Sequence, residues 1–216
     1  MGRATQALAT GADLVLRALT VQGIWALGTL AGGIVLGWAP ATMAALGEAA
    51  AAERGERLSL RRAARSWRES FWRSQVTLGL PGIFLLLATI CLLSGVLPLA
   101  AQIALGLVTG LLLIAVAHVP ELEVRYDLPA TRAFGAALTL GLAQAPTSLV
   151  LLAVLALWTA VLSLVPGLLP FLGIGVPLLL IHHLVSRTVD RNEDLLGRDR
   201  AALPAARADP APVPRP

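Results

Sequence analysis

Five apolar runs of about 20 residues, each long enough to cross a bilayer as a helix, dominate this chain of 216 residues. They lie at about 18–38, 76–96, 99–117, 146–165 and 167–185. In hydrocarbon there is no water to bond exposed backbone groups, so only a helix or a closed barrel can span it. Runs this long with no charge at their centres predict helices. The fold class expected is therefore all-α: a polytopic membrane helical bundle of about five transmembrane helices plus one or two interfacial amphipathic helices. Composition agrees, with 56% hydrophobic and 14% charged residues, against about 25% charged in soluble domains. Mean hydropathy is +0.76. The expected organisation is a single membrane domain over residues 1–187. A tail at 188–216, charged at first and then Pro/Ala-rich, has too little apolar content to fold and is expected to be largely disordered.

The first run carries Gly28, Gly32, Gly33 and Gly37. On one continuous helix these form two interleaved G-x-x-x-G spacings, which let a second helix approach closely. A cleavable leader is the alternative for this region, with Ala39-Pro40-Ala41 imitating a cleavage site. Its core would exceed the usual length of about 7–15 residues, so the run reads as a span. Pro40 disfavours helix at the residue before it, and an alanine-rich helix over 41–52 should follow. Gly55 marks a turn and Ser59 a helix N-cap.

From 59 to 74, Leu60, Ala63, Ala64, Trp67 and Phe71 recur at helical spacing, with Arg61, Arg62, Arg65, Arg68 and Arg73 between them. This is the pattern of an interfacial amphipathic helix, its arginines facing lipid headgroups. The third run repeats the G-x-x-x-G spacing at Gly106 and Gly110. A second polar elbow holds His118, Pro120, Glu121, Glu123, Arg125, Tyr126 and Asp127, with Asp127 as N-cap of a milder helix over 128–144. The last two runs form a hairpin turning at Val165-Pro166-Gly167. Elbow, amphipathic helix and hairpin thus occur twice, without a residue-level repeat.

All 17 basic residues are arginine. Seven sit in the first elbow, two in the second and six in the tail, against Arg3 and Arg17 alone on the other side. The positive-inside rule puts both elbows and the C-terminus in the cytoplasm of a bacterial cell. Five spans then put the N-terminus outside, unless the first segment does not fully cross. The net charge of +4 is explained by this flanking arrangement, and no nucleic-acid partner is expected.

No ionisable residue lies at the centre of a run, which argues against an ion-coupled transporter. Cys91 is the only cysteine, so neither an internal disulfide nor a cysteine-based zinc site is available. His118, His182 and His183 fall near one membrane face, and the adjacent pair projects about 100° apart on a helix, a poor chelating geometry. Glu121 and Glu123 read as solvated. No H-E-x-x-H, P-loop or G-x-S-x-G motif occurs. No catalytic, metal or cofactor residue is expected, and no enzyme activity.

The segment Gly37-Trp38-Ala39-Pro40-Ala41-Thr42-Met43-Ala44-Ala45-Leu46, followed by Trp67–Arg73, resembles the YesL-like family of bacterial membrane proteins of unknown function. So does the second elbow from Val119-Pro120-Glu121 to Asp127-Leu128. The resemblance runs over roughly 18–187 and rests chiefly on Gly37, Pro40, Ala41, Thr42 and Leu46. It implies a non-enzymatic accessory role beside an ATP-driven carbohydrate importer, whose subunits join membrane lipids and self-association as the expected partners. The alternative is a small permease for an uncharged or lipid-like solute, with a path lined by Gln22, Gln102 and Thr109.

Overall fold

The computed structural model describes residues 3–126 and 128–207, and every regular element in them is helical. Four helices are long and apolar enough to cross a membrane, five if one bent pair counts as a span. Leu86, Leu87, Leu93 and Leu107 are among many large apolar side chains left exposed on them. That is the surface of a protein bathed in lipid, since a water-soluble monomer rarely exposes a large contiguous apolar patch.

Helix α1 covers Arg3–Ala31 and α2 Trp38–Glu53. The first span therefore stops at Ala31, where continuous helix was expected to Trp38. Three glycines cause the stop. Gly33 has φ +69° and Ile34 φ +66°, and Ile34 N–H donates to the Thr29 carbonyl at 2.9 Å. A Cβ on Gly32 would lie 2.3 Å from Gly37 Cα. Gly32, Gly33 and Gly37 thus build a tight turn rather than a helix face. Gly28 remains in the helix, its Cβ position 3.0 Å from Ala41 Cβ and 3.1 Å from Trp67 Cδ1.

Helix α2 lies among α1, α3, α5 and α9, which span Leu60–Ser74, Leu99–Tyr126 and Gly175–Arg207 for the last three. Ala39, Ala41, Ala45 and Ala51 are fully buried. Small side chains let neighbouring backbones approach on all sides, and Pro40 falls in the first turn, where no helical N–H partner is lost. The helix ends in a Schellman arrangement: Gly55 takes φ +78° and Glu56 N–H donates to the Ala51 carbonyl at 3.0 Å.

Ser59 Oγ caps α3 by accepting from Arg62 N–H at 3.4 Å, as expected. The helix does not stop at the membrane surface. A π turn at Gln75–Gly79 joins it to α4, Leu80–Ser94. The widened turn sits just before Pro81, which has no N–H and whose ring crowds the preceding carbonyls. The 35 residues of Leu60–Ser94 make a rod of about 52 Å, longer than the roughly 30 Å hydrocarbon core. The amphipathic segment and the second span are one helix.

The second elbow is also helical. Helix α5 continues to Tyr126 with Pro120 inside it, and Asp127 lies outside the described residues. Helix α6 is Ala130–Ala143 and α7 Ala145–Leu164, separated by Gln144. Ala137 of α6 packs with Val119, Leu151, Val185 and Val189 in a core shared by four helices.

The last run is not a straight span. After a 3-10 turn at Pro166–Leu168, the short α8 Leu169–Leu172 leads to a break and then to α9, with a 61° bend between Pro166–Leu172 and Gly175–Glu193. Gln22 of α1 fills the break. Its Oε1 accepts from Ile174 N–H at 2.9 Å and Gly175 N–H at 2.8 Å, while Nε2 donates to the Pro170 carbonyl at 3.3 Å. Helix α9 then runs past Val185 to Arg207. Helix formers predominate over 186–203, with no proline before Pro204.

Replacing Gln22 with Leu should destabilise the fold. Two N–H groups buried at the break would lose their acceptor, at about 1–3 kcal/mol each. Thermal unfolding in detergent, followed by circular dichroism, measures this; an unchanged midpoint would refute the role assigned to Gln22.

Candidate functional site

Where α2, α5 and α9 meet, the chain gathers charges that its sequence scatters over 140 residues. Glu48 is the first. It sits on α2 amid alanines, 1% exposed, where a polar group without a partner is costly. Arg62 on α3 answers it with two bonds, Nε to Oε1 at 2.6 Å and Nη2 to Oε2 at 2.8 Å. Ser59 N–H adds a third at 2.9 Å. Such forked guanidinium–carboxylate bonds are short and directional. Arg62 also reaches Glu56 at 2.7 Å. The Arg54 guanidinium bonded to Glu56, aided by Arg62, holds its carboxyl below the usual carboxylate range.

The second cluster centres on His182 of α9, 3% exposed. Its Nδ1 is 2.7 Å from Glu121 Oε2 on α5. Its Nε2 is 3.1 Å from Glu53 Oε2 on α2, close enough to pair though not aligned as a hydrogen bond. His183 Nδ1 lies 3.6 Å from the other oxygen of Glu53. Only a doubly protonated imidazole offers a donor to both carboxylates, and the cluster ties α2, α5 and α9 together. A cavity of about 340 Å3 opens beside it, bordered by Glu53, Arg54, Glu121, Arg125 and Asp190. Arg125 closes one side with a 2.6 Å bond to Asp190.

A third contact joins α3 to the α5 end. Arg73 donates to the Leu128 carbonyl and lies 3.6 Å from Glu123. Glu121 and Glu123, expected to be solvated, are 5% and 6% exposed. The helical continuation of α5 turns both into the bundle, where an elbow would have left them in water. His118 stays apart, bonding the Ile114 carbonyl on its own helix at 2.8 Å. Among the described residues no group of three or more His, Cys, Asp or Glu is placed to hold a metal ion.

The arginines expected to face headgroups divide in two. Arg62 and Arg73 turn inward as described. Arg61, Arg65 and Arg68 remain on the exposed side of α3 and make no ion pair among the described residues. The central motif residues are structural. Thr42 Oγ1 accepts from Trp25 Nε1 at 3.1 Å and donates to the Trp38 carbonyl at 2.8 Å. Pro40 and Ala41 are buried, and Leu46 packs with Val21, Ile24 and Ala63. Gly37 closes the α1–α2 turn. Gly106 and Gly110 on α5 face open space, with nothing within 4 Å of a built Cβ. Gln22 serves the helix break, and Thr109 bonds its own helix at Leu105.

Sequence reasoning passed over Glu48. A lone acid inside G-E-A-A-A-A-E, within a segment too apolar to be a solvated loop, was the available signal.

These helices and this inward charge define an all-helical multi-pass membrane protein. Residues 19–95, which run from within α1 to the end of α4, match a family described as "Protein of unknown function, DUF624". No curated protein and no solved structure matches the chain.

Arg62→Leu should strand the buried Glu48 carboxylate and lower the melting midpoint. The Glu48→Leu/Arg62→Leu double variant should recover most of that loss, because no buried charge is left alone. Melting of the three proteins in one detergent decides it; a double variant no more stable than Arg62→Leu would contradict the pairing.

Proposed function

We propose that this chain is a non-enzymatic accessory protein of the bacterial cytoplasmic membrane, acting by helix contact with another membrane assembly. The observation that carries the reading is the open face of α5. Gly106 and Gly110 lie on a span whose most apolar stretch is only 6% buried, and nothing among the described residues fills the space beside them. A glycine pair at this spacing lets a partner helix approach to backbone distance. The resemblance of the central stretch to the YesL-like family supports an ATP-driven carbohydrate importer as that assembly. Arginine-rich segments at 54–73 and 187–200 support a cytoplasmic placement of α3 and the C-terminus.

The cavity at the broken helix favours a second reading, a permease for a small uncharged solute. Gln22, Thr29, Leu30, Leu162 and Pro170 border about 470 Å3 there. Thr29 is 7% exposed and its hydroxyl has no partner. Discontinuous helices beside a cavity are how many transporters build a solute site.

Gly106→Leu with Gly110→Leu should abolish co-purification with importer subunits in mild detergent while membrane insertion stays unchanged. Retained co-purification would count against the accessory role. For the permease, Thr29→Cys in a Cys91→Ala background should react with a membrane-impermeant thiol reagent; no labelling rejects an aqueous path at this cavity.

A further inference from the structure

Helix α3 presents a polar row and an apolar groove that share one residue. The groove lies between α1 and α3 and encloses about 380 Å3, within the roughly 300–1,000 Å3 typical of small-molecule pockets. Ile24, Leu27, Leu60 and Trp67 form its walls. Gly28 and Ala44 keep its floor low. Arg68 stands at its edge and also borders the adjoining depression lined by Arg61, Arg65 and Glu69.

Arg61, Arg65 and Arg68 stand four and three residues apart, so their guanidinium groups share one face of α3. Like charges at that spacing repel and weaken a helix. Arg54, Arg62, Arg73 and Arg125 each pair with a carboxylate; among the described residues these three do not. Trp67, in the groove wall, has an indole N–H without a partner. Trp72, five residues further on, is 79% exposed, and tryptophan is enriched where proteins meet headgroups.

We infer that this is a binding site for one anionic phospholipid. An acyl chain occupies the α1–α3 groove, and the phosphate accepts from Arg68 and Arg65, with Arg61 extending the positive row. Charge complementarity selects the occupant. A free phosphate would use the arginines and leave the groove empty; a neutral lipid would fill the groove and leave three cations unanswered. The site is independent of the importer and permease readings, since it lies on neither the α5 glycine face nor the α8–α9 break.

The test uses the full chain in phosphatidylcholine vesicles containing a minority of either brominated phosphatidylglycerol or brominated phosphatidylcholine. Bromine on the acyl chain quenches nearby tryptophan. The difference between the native chain and Trp67→Phe isolates the groove. The expected result is stronger quenching of Trp67 by the phosphatidylglycerol. That preference should fall by about fivefold for each arginine neutralised in Arg61→Gln, Arg65→Gln and Arg68→Gln. These side chains are exposed and unpaired, so the variants keep the fold. Ala31→Phe, which narrows the groove from its α1 side and lies outside the arginine depression, should also remove the preference. Equal quenching by the two lipids overturns the site. So does a preference that survives the triple substitution. A preference that survives Ala31→Phe overturns it as well, because only diffuse attraction of headgroups to α3 would then remain.

Discussion

A sixteen-residue helix enclosed by four others is the constraint on which the remaining helices are arranged. Helix α2 can be enclosed because it is built from alanine, so each neighbour approaches its backbone rather than a layer of large side chains. Such closeness admits little error. Gly28 touches Ala41 because it has no side chain of its own, and Trp67 reaches the same place from α3. The glycine turn that ends α1 at Ala31 folds α2 back along it. A helix continued to Trp38 would have carried α2 away from the bundle.

Enclosure also dictates the electrostatics. Two acids on α2 are each met from another helix: the buried Glu48 by Arg62 of α3, and the half-exposed Glu53 by His182 and His183 of α9. Glu121 links α5 to the same histidine. An ion pair of this kind adds little net stability over a well-packed apolar substitute, but breaking it is costly. Its consequence is geometric: it ties α3 and α9 to α2, and α5 to α9. Backbone groups follow the same rule at the α8–α9 break, where Gln22 supplies the partners that a continuous helix would have found in itself.

Helix α3 shows how one amphipathic pattern is divided by tertiary contacts. Five arginines were expected to face headgroups. Arg62 lies toward Glu48 and Arg73 toward Glu123, so both are part of the bundle. Arg61, Arg65 and Arg68 keep the outward face beside the apolar groove. Because α3 continues into α4, that row is held at a fixed height relative to a membrane-crossing rod rather than floating along the surface.

Much of the architecture could be read from the residues. The long apolar runs, the alanine-rich helix after Pro40, the turn at Gly55, the cap at Ser59 and the helix near 130–143 are local features, decided by side chains a few positions apart. What failed depended on distant partners. Spacing of Gly28, Gly32, Gly33 and Gly37 suits both a helix face and a turn, and only the approach of α2 selects the turn. Glu121 and Glu123 looked solvated because nothing nearby in sequence opposes them; Arg73 and His182 are about 50 and 60 residues away. Periodicity saw a boundary between α3 and α4 where polarity changes, yet hydrogen bonding runs through it. The sequence by itself determined that this chain is a set of helices suited to lipid, since hydropathy and backbone satisfaction act within each run. Tertiary structure alone decided which charges are buried, which glycines bend the chain and where the last helix breaks, because each of those depends on a group brought close only by folding.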